Sequence, residues 1–238
     1  MSNWNRLEKS LFIAFLLWST AGLIFTVLGV TPDAIARWPA PEALRRFVAF
    51  CVGFGDPILI LLAFANTHLH AARQWTPSTA RRWALWILAC SFTVETLGVA
   101  TGFPFGAYLY THRFGPWLGL VPATIPLAWY VVVTNALFLV RTVAPHRSRL
   151  AEIAWTALLC TFYDLILEPF ATQVKLYWIW VGDAVPVQNY IAWFVVSSLL
   201  IWAFAPTAAT RFPRDARPAA ILGATLLIFL AGRWLGGN

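Results

Sequence analysis

Residues 83–102 read WALWILACSFTVETLGVATG, an apolar run of 20 residues that holds one acid, Glu95, and neither lysine nor arginine. An α-helix needs about 20 apolar residues to cross the roughly 30 Å hydrocarbon layer of a bilayer. This run therefore has the length and composition of a membrane-spanning helix. A charged side chain is costly in hydrocarbon, so an acid inside such a run usually marks a functional site.

Apolar runs of this kind recur along the whole chain, in which 60% of residues are hydrophobic and only 11% are charged. Such a composition is typical of polytopic membrane proteins. We predict spanning helices close to residues 11–29, 47–65, 83–102, 117–140, 150–168, 190–206 and 218–235. The expected fold is an all-α membrane helical bundle of about seven transmembrane helices, with residues 1–238 forming a single integral membrane domain.

The distribution of basic residues predicts how these helices are oriented. Lys and Arg in short loops favour the cytoplasmic side of a membrane. With the N-terminus inside, 11 of the 17 basic residues fall in cytoplasmic segments and six on the opposite side. We therefore expect a multi-pass protein of the cell membrane with a cytoplasmic N-terminus. The net charge of +7 then reflects topology and contact with anionic lipid, and does not indicate nucleic-acid binding.

Two short segments of the chain are alike. VPATIPLAW at 121–129 matches VPVQNYIAW at 185–193 in its Val, Pro, Ala and Trp positions. Each copy opens a helix after a loop rich in aromatic residues, and each loop follows a helix that carries acids. We predict a parallel repeat in which helices three and four correspond to helices five and six. The alternative is that Pro at helix starts and Trp at the membrane interface recur by chance.

We single out four acids of the apolar runs, and no Lys or Arg shares a run with them. They are Asp56, Glu95, Asp164 and Glu168. Asp164 and Glu168 are four residues apart and share one helix face. We expect all four to converge on one catalytic pocket in the outer half of the bundle. The alternative is that some are structural and pair with Asn, Thr or Tyr side chains between helices.

The loops after helices three and five combine Gly and Pro with aromatic residues. Such irregular backbone is tolerated at membrane depth only where protein or a cavity covers it. These loops and the helices that follow supply the candidate substrate contacts, which are Phe103, Phe105, Tyr108, Tyr110, Trp129, Tyr177, Trp178, Trp180, Asn189 and Trp193.

Acids and aromatic rings together suit one kind of chemistry. A buried carboxyl group can keep its proton at neutral pH and act as a general acid, and aromatic faces stabilise cations. An acid that protonates an alkene, with rings around the resulting cation, is what hydration or cyclisation of an isoprenoid requires. This chemistry needs no metal and no organic cofactor.

The motifs also form a compound pattern. It consists of ETLG at 95–98, GFPFGAY at 102–108, Val121-Pro122, Trp129, Asp164, Glu168-Pro169, WIW at 178–180, Val185-Pro186 and NYIAW at 189–193. This pattern resembles the CruF-type carotenoid 1,2-hydratases over roughly residues 50–205. The resemblance implies an integral membrane enzyme that adds water to the terminal double bond of an acyclic carotenoid, such as lycopene, gamma-carotene or bisanhydrobacterioruberin. It implies no redox cofactor, and other carotenoid-biosynthesis enzymes as partners.

The chemistry suggests roles for individual residues. Glu95 or Asp164 would protonate C2 of the terminal alkene, which leaves a tertiary cation at C1. Tyr108, Trp178 or Trp180 would face that cation. Glu168 or Asp164 would then hold and deprotonate the attacking water.

Two alternatives remain open from the sequence. A membrane lycopene cyclase would use the same protonation but let an internal alkene capture the cation; the chain lacks the Pro-x-Glu-Glu run of those enzymes. A transporter or carotenoid-binding protein would use the acids to relay protons or bind a cation. We expect no metal site, and we place His68, His70, His112 and His146 in loops, with His68 and His70 as a solvated pair.

Overall fold

The computed structural model describes residues 5–30, 32–145, 148–182, 184–207 and 215–235. Within these ranges the chain forms α1 (Arg6–Val27), α2 (Pro32–Arg37), α3 (Glu42–Gly53), α4 (Gly55–Gln74), α5 (Pro77–Thr101), α6 (Thr124–Val143), α7 (Arg149–Pro169), α8 (Val187–Phe204) and α9 (Arg217–Leu235). Four short strands accompany them: β1 (Tyr108–Tyr110), β2 (Trp117–Leu118), β3 (Val121–Pro122) and β4 (Trp178–Trp180). The prediction of an all-α bundle is confirmed.

Five helices are long and apolar enough to cross a membrane, namely α1, α5, α6, α8 and α7 with its π-helical extension to Val174. A sixth span results if α3 and α4, which meet at a bend of 59°, are taken together. The 19-residue α9 is a further long helix. These elements agree with a polytopic membrane protein.

The second predicted helix is not continuous, because α3 ends at Gly53 and α4 begins at Gly55. Pro57 lacks an N–H, and its ring excludes the carbonyl of Gly53, four residues earlier, from the helical ladder. The flanking glycines further weaken helix formation there. As a result Asp56, expected near the middle of a helix, lies in the first turn of α4.

Local sequence explains several helix ends. Asn5 and Glu8 form a reciprocal capping box at the start of α1. The side chains of Thr76 and Ser148 cap α5 and α7 by accepting backbone N–H bonds. Gly102, with φ of 76°, ends α5 in the left-handed conformation that glycine favours. The chain thus leaves α5 shortly after Glu95 and turns back toward the bundle.

β1 and β4 form an antiparallel two-stranded sheet. Its register places Tyr108 opposite Trp180, Leu109 opposite Ile179 and Tyr110 opposite Trp178. Because β1 follows α5 and β4 follows α7, the sheet joins the two predicted repeat copies at equivalent positions. We call this end of the bundle the sheet end.

The core of the bundle is built around α6. In its most apolar stretch 83% of the residues are buried, against 11% to 33% in the other four single spans. It packs against α4, α5, α7 and α9. A central helix that is apolar on every side has this kind of burial.

The prediction that His68 and His70 lie in a loop is wrong, because both belong to α4. That helix continues past the predicted apolar run into a polar segment whose side chains find partners inside the protein. The His70 ring is only 1% exposed, and its Nδ1 lies 3.5 Å from a carboxylate oxygen of Asp215. His112 begins a short 3-10 turn outside the helices, and His146 lies outside the described residues.

Candidate active site

A cavity at the sheet end is lined by all four acids singled out from the sequence, Asp56, Glu95, Asp164 and Glu168. Among the other candidate contacts, Phe105, Tyr108, Tyr110, Trp129, Tyr177, Trp178, Trp180, Asn189 and Trp193 also line it. Phe103 does not, since it lies on the surface with 72% of its area exposed. The cavity offers about 110 Å³, against the roughly 10–15 Å³ that one water molecule requires. It therefore has room for a small apolar group together with water.

Glu95, buried in α5, is held by three side chains. The hydroxyls of Tyr108 and Tyr110 donate hydrogen bonds of 2.6 and 2.7 Å to its Oε2. The indole N–H of Trp129, from α6, donates a bond of 2.8 Å to its Oε1. The two tyrosines reach the same oxygen because residues i and i+2 of a strand point to one face.

Glu168, near the end of α7, is held in the same way. The indole N–H groups of Trp180 and Trp178 donate hydrogen bonds of 2.9 and 3.2 Å to its Oε2. The side-chain amide of Asn189, from α8, donates a bond of 3.2 Å to its Oε1. A strand again supplies two donors to one oxygen, and the following long helix supplies one donor to the other.

The two acid sites are therefore built alike, although the helix donors Trp129 and Asn189 do not occupy aligned positions of the two copies. The aligned tryptophans of the two copies, Trp129 and Trp193, stack with ring centroids 3.9 Å apart and 7° between their planes. β1 and β4 pair around Leu109 and Ile179, as two strands related by a two-fold axis would. Chance recurrence of Pro and Trp would not explain why β1 pairs with β4, whereas an internal repeat explains it.

Asp164 breaks the correspondence. It lies one helical turn before Glu168, whereas the residue one turn before Glu95 is Ser91. The amide nitrogen of Asn189 that reaches Glu168 also donates a bond of 2.7 Å to Oδ2 of Asp164. One amide thus holds two buried carboxyl groups. Two carboxyls in unequal surroundings can divide the acid and base roles.

Asp56 differs from the other three acids in having a cation beside it. Nζ of Lys175 lies 2.9 Å from its Oδ2. The lysine comes from the turn after α7, so the absence of basic residues in the run around Asp56 gave no sign of this ion pair. A lone lysine beside the aromatic loop was the only signal in the sequence.

Comparison with known proteins identifies the family of this chain. The family described as carotenoid biosynthesis proteins matches residues 55–235, about three quarters of the chain. The chain belongs to this family. It is also similar to the bisanhydrobacterioruberin hydratase of Haloarcula japonica, with 30% identity over 195 residues, which are 78% of this chain and 63% of that relative. The chain thus spans less than two thirds of the relative's length. No solved structure matches it.

Within the family match, α9 contributes to the cavity of this carotenoid biosynthesis protein, a role that its sequence did not lead us to expect. Thr225 and Phe229 line the wall, and Thr225 accepts a 2.9 Å hydrogen bond from the hydroxyl of Tyr163. The Phe229 and Phe170 rings pack 5.1 Å apart. The spacing of Thr225, Ile228 and Phe229 on one helix face was the available signal.

The cavity of this family member brings carboxyls and rings together without the geometry of a metal centre. Over the described ranges, no group of three or more His, Cys, Asp or Glu side chains is placed to hold a metal ion. The cavity lining offers carboxyl groups and aromatic faces for chemistry.

Proposed function

We propose that this protein is a carotenoid hydratase that adds water to the terminal C1=C2 double bond of an acyclic carotenoid end group. The observation that carries the proposal is one cavity in which Glu95, Asp164 and Glu168 are buried among aromatic rings. Membership of the carotenoid biosynthesis family and the name of the Haloarcula japonica relative support the substrate class. The substrates that we expect are lycopene, gamma-carotene or bisanhydrobacterioruberin.

Asp164 is our candidate for the proton donor. Asn189 donates to its Oδ2, and in the described part of the chain no other side chain bonds to this carboxyl, so Oδ1 remains for the substrate. Glu95 instead accepts three hydrogen bonds, which suits a carboxylate that balances positive charge. Protonation of C2 by Asp164 forms a C–H bond and leaves the cation at C1.

The cation would form against aromatic rings. Trp129, Trp178 and Tyr108 line the cavity, and each bonds to one of its acids. Ring faces attract cations. Because these rings are held by hydrogen bonds to the acids and by stacking, they are in place before charge develops. Preorganised groups of this kind lower the barrier without reorganisation during the reaction.

Water then completes the reaction at C1. As its oxygen bonds to the cation, Glu168 would accept the released proton, and the product is a tertiary alcohol. Asp164 has lost a proton and Glu168 has gained one, so transfer within the pair held by Asn189 restores the starting state. The scheme adds one water to the substrate and uses no redox step.

The test is to express the full chain in a bacterial host that accumulates lycopene and to analyse the pigments by chromatography and mass spectrometry. A product heavier by one water with an unchanged visible chromophore would support the hydratase. An isomer of unchanged mass with an altered spectrum would indicate the cyclase. If the pigment is unchanged with lycopene, and also with gamma-carotene and with bisanhydrobacterioruberin as the substrate, the hydratase proposal is contradicted.

We also propose that the N-terminus is cytoplasmic, on the distribution of basic residues. The chain then places the α4–α5 turn inside and the loop between β2 and β3 outside. In a variant with the native cysteines replaced by serine, Leu120→Cys should react with an impermeant thiol reagent on intact cells, and Ser78→Cys should react only after lysis. The reverse labelling pattern would invert the topology.

A further inference from the structure

The acids of the cavity differ sharply in exposure. Glu95, Asp164 and Glu168 are 5%, 1% and 2% exposed. The side chains of Asp56 and Lys175 are 24% and 29% exposed, yet Asp56 also lines the cavity. The ion pair thus belongs to the cavity wall and to the protein surface at once.

The surface that this ion pair meets must be polar. A charged pair open to hydrocarbon would be costly, so partly exposed charges in a membrane protein face water or headgroups. Asp56 lies in the first turn of α4, directly after the bend, and Lys175 ends the π-helical turn that follows α7. Both positions are at the sheet end, where the chain leaves the spanning helices.

The wall around the ion pair is aromatic. Nζ of Lys175 lies 5.6 Å from the centre of the Phe170 ring, and the rings of Phe114 and Tyr177 pack 4.2 Å apart. These rings line the cavity beside Asp56. Water that enters through this wall would be stabilised at the ion pair, where a carboxylate and an ammonium supply hydrogen bonds.

We propose that the Asp56–Lys175 ion pair is the water-access site of the cavity and decides how often the carotenoid cation is captured by water. This inference rests on the proposed hydratase function and assigns the pair a positioning role, separate from proton donation. Each hydration consumes one water, while the carotenoid reaches the cavity from the lipid. A separate polar route for water would satisfy both requirements.

The cation has two fates that report on water access. If water bonds to C1 and gives a proton to a carboxylate, the alcohol forms. If water is absent, the carboxylate removes a proton from C2 or from a methyl group, and an alkene is restored. In D₂O the acid delivers a deuteron, so the second route leaves deuterium in the carotenoid without adding oxygen. The ratio of hydrate to deuterated alkene therefore measures capture by water.

The experiment uses membranes that contain the full chain, with lycopene as the probe in D₂O buffer. The variants are Asp56→Asn, Lys175→Met and the exchanged pair Asp56→Lys with Lys175→Asp. Glu42→Gln is the matched control, because it removes an ion pair with Arg46 on the exposed side of α3. Mass spectrometry gives hydrate and deuterated alkene in the same sample.

We expect Asp56→Asn and Lys175→Met to lower the ratio about tenfold, equivalent to a barrier difference of about 1.4 kcal/mol between the two fates. The exchanged pair should recover part of the loss, and Glu42→Gln should keep the wild-type ratio. If the wild type hydrates lycopene and both single variants keep its ratio, the water-access role alone is overturned. The same holds if the single variants lose hydrate and deuterated alkene to an equal extent. Neither product from the wild type would overturn the hydratase function itself.

Discussion

Asp164 and Glu168 share the amide of Asn189, and a substitution at Asp164 tests whether this residue donates the proton. Asp164→Asn keeps the shape and the polar contact but removes the transferable proton. General acid catalysis contributes about 10²- to 10⁴-fold to a rate, so hydrate formation should fall by at least about 100-fold. Glu42→Gln, which changes an exposed acid on α3 in the same way, should keep full activity. Product analysis normalised to membrane protein checks both, and full activity in Asp164→Asn would remove Asp164 from the scheme.

The two stacked tryptophans differ in their hydrogen bonds, because Trp129 donates one to the buried Glu95 and Trp193 does not. Trp129→Phe removes the indole N–H that bonds to Glu95, whereas Trp193→Phe changes the stack from its other side. An unsatisfied buried acceptor costs about 1–3 kcal/mol. Trp129→Phe should therefore destabilise the protein more than Trp193→Phe, as measured by thermal unfolding in detergent. Equal losses would mean that stacking, and not the hydrogen bond, fixes the ring.

At the scale of elements, the close contact between α9 and Phe170 predicts unequal effects of two glycine substitutions. A Cβ at Gly232 would lie 2.5 Å from ring carbons of Phe170, which lines the cavity, whereas a Cβ at Gly223 would meet nothing within 4 Å. Both glycines lie in α9, where alanine is the better helix former by about 1 kcal/mol. Gly223→Ala should therefore be neutral or stabilising.

Gly232→Ala should instead destabilise the protein and lower hydrate formation, since Phe170 must move. Unfolding in detergent and product analysis on the same preparations measure the two effects. A Gly232→Ala variant with wild-type stability and activity would show that the α9 wall adapts at little cost.

The helices could be predicted from the sequence, but the pairing of the strands could not. Long apolar runs predicted the spanning helices, because hydrocarbon thickness sets a length that the chain must satisfy. The bend at Phe54 could have been inferred from Gly53, Gly55 and Pro57, whose local effects are known. The pairing of β1 with β4 could not, since strands about 70 residues apart in the chain meet only once the helices have packed.

At the scale of the whole molecule, the repeat explains why part of the site was predictable. Two like copies place like residues on one cavity, so Glu95 and Glu168 could be chosen together from their positions before the aromatic loops. The contacts made with α4 and α9, which lie outside the repeat, were missed. Lys175 and the α9 wall are among them, because their roles depend on which elements meet in three dimensions.

The end of the bundle opposite the sheets is held by a buried cluster of charges. Nη2 of Arg217 in α9 lies 2.7 Å from Asp215, and its Nη1 lies 3.6 Å from Glu8 in α1. His70 and Arg73 of α4 reach the same two acids. The cluster thus joins α1, which precedes the matched family region, to two helices inside it.

This cluster leads to a prediction for the stability of the whole bundle. Burial raises the pKa of Asp215, but the neighbouring His70 ring and the hydrogen bonds from Arg217 outweigh it and hold the pKa below its usual value. A carboxyl group whose pKa is lower in the folded than in the unfolded protein stabilises the fold at pH values above its unfolded pKa of about 4. This contribution is lost as the pH falls below that value.

Asp215→Asn should therefore lower the midpoint of thermal unfolding in detergent by several degrees at pH 7. The difference from the wild type should shrink below about pH 4, where the wild type loses the same contribution. Glu42→Gln, which breaks an exposed ion pair, should leave the midpoint unchanged at pH 7; a difference for Asp215→Asn that stays constant down to pH 3 would show that Asp215 acts through packing and not through its charge.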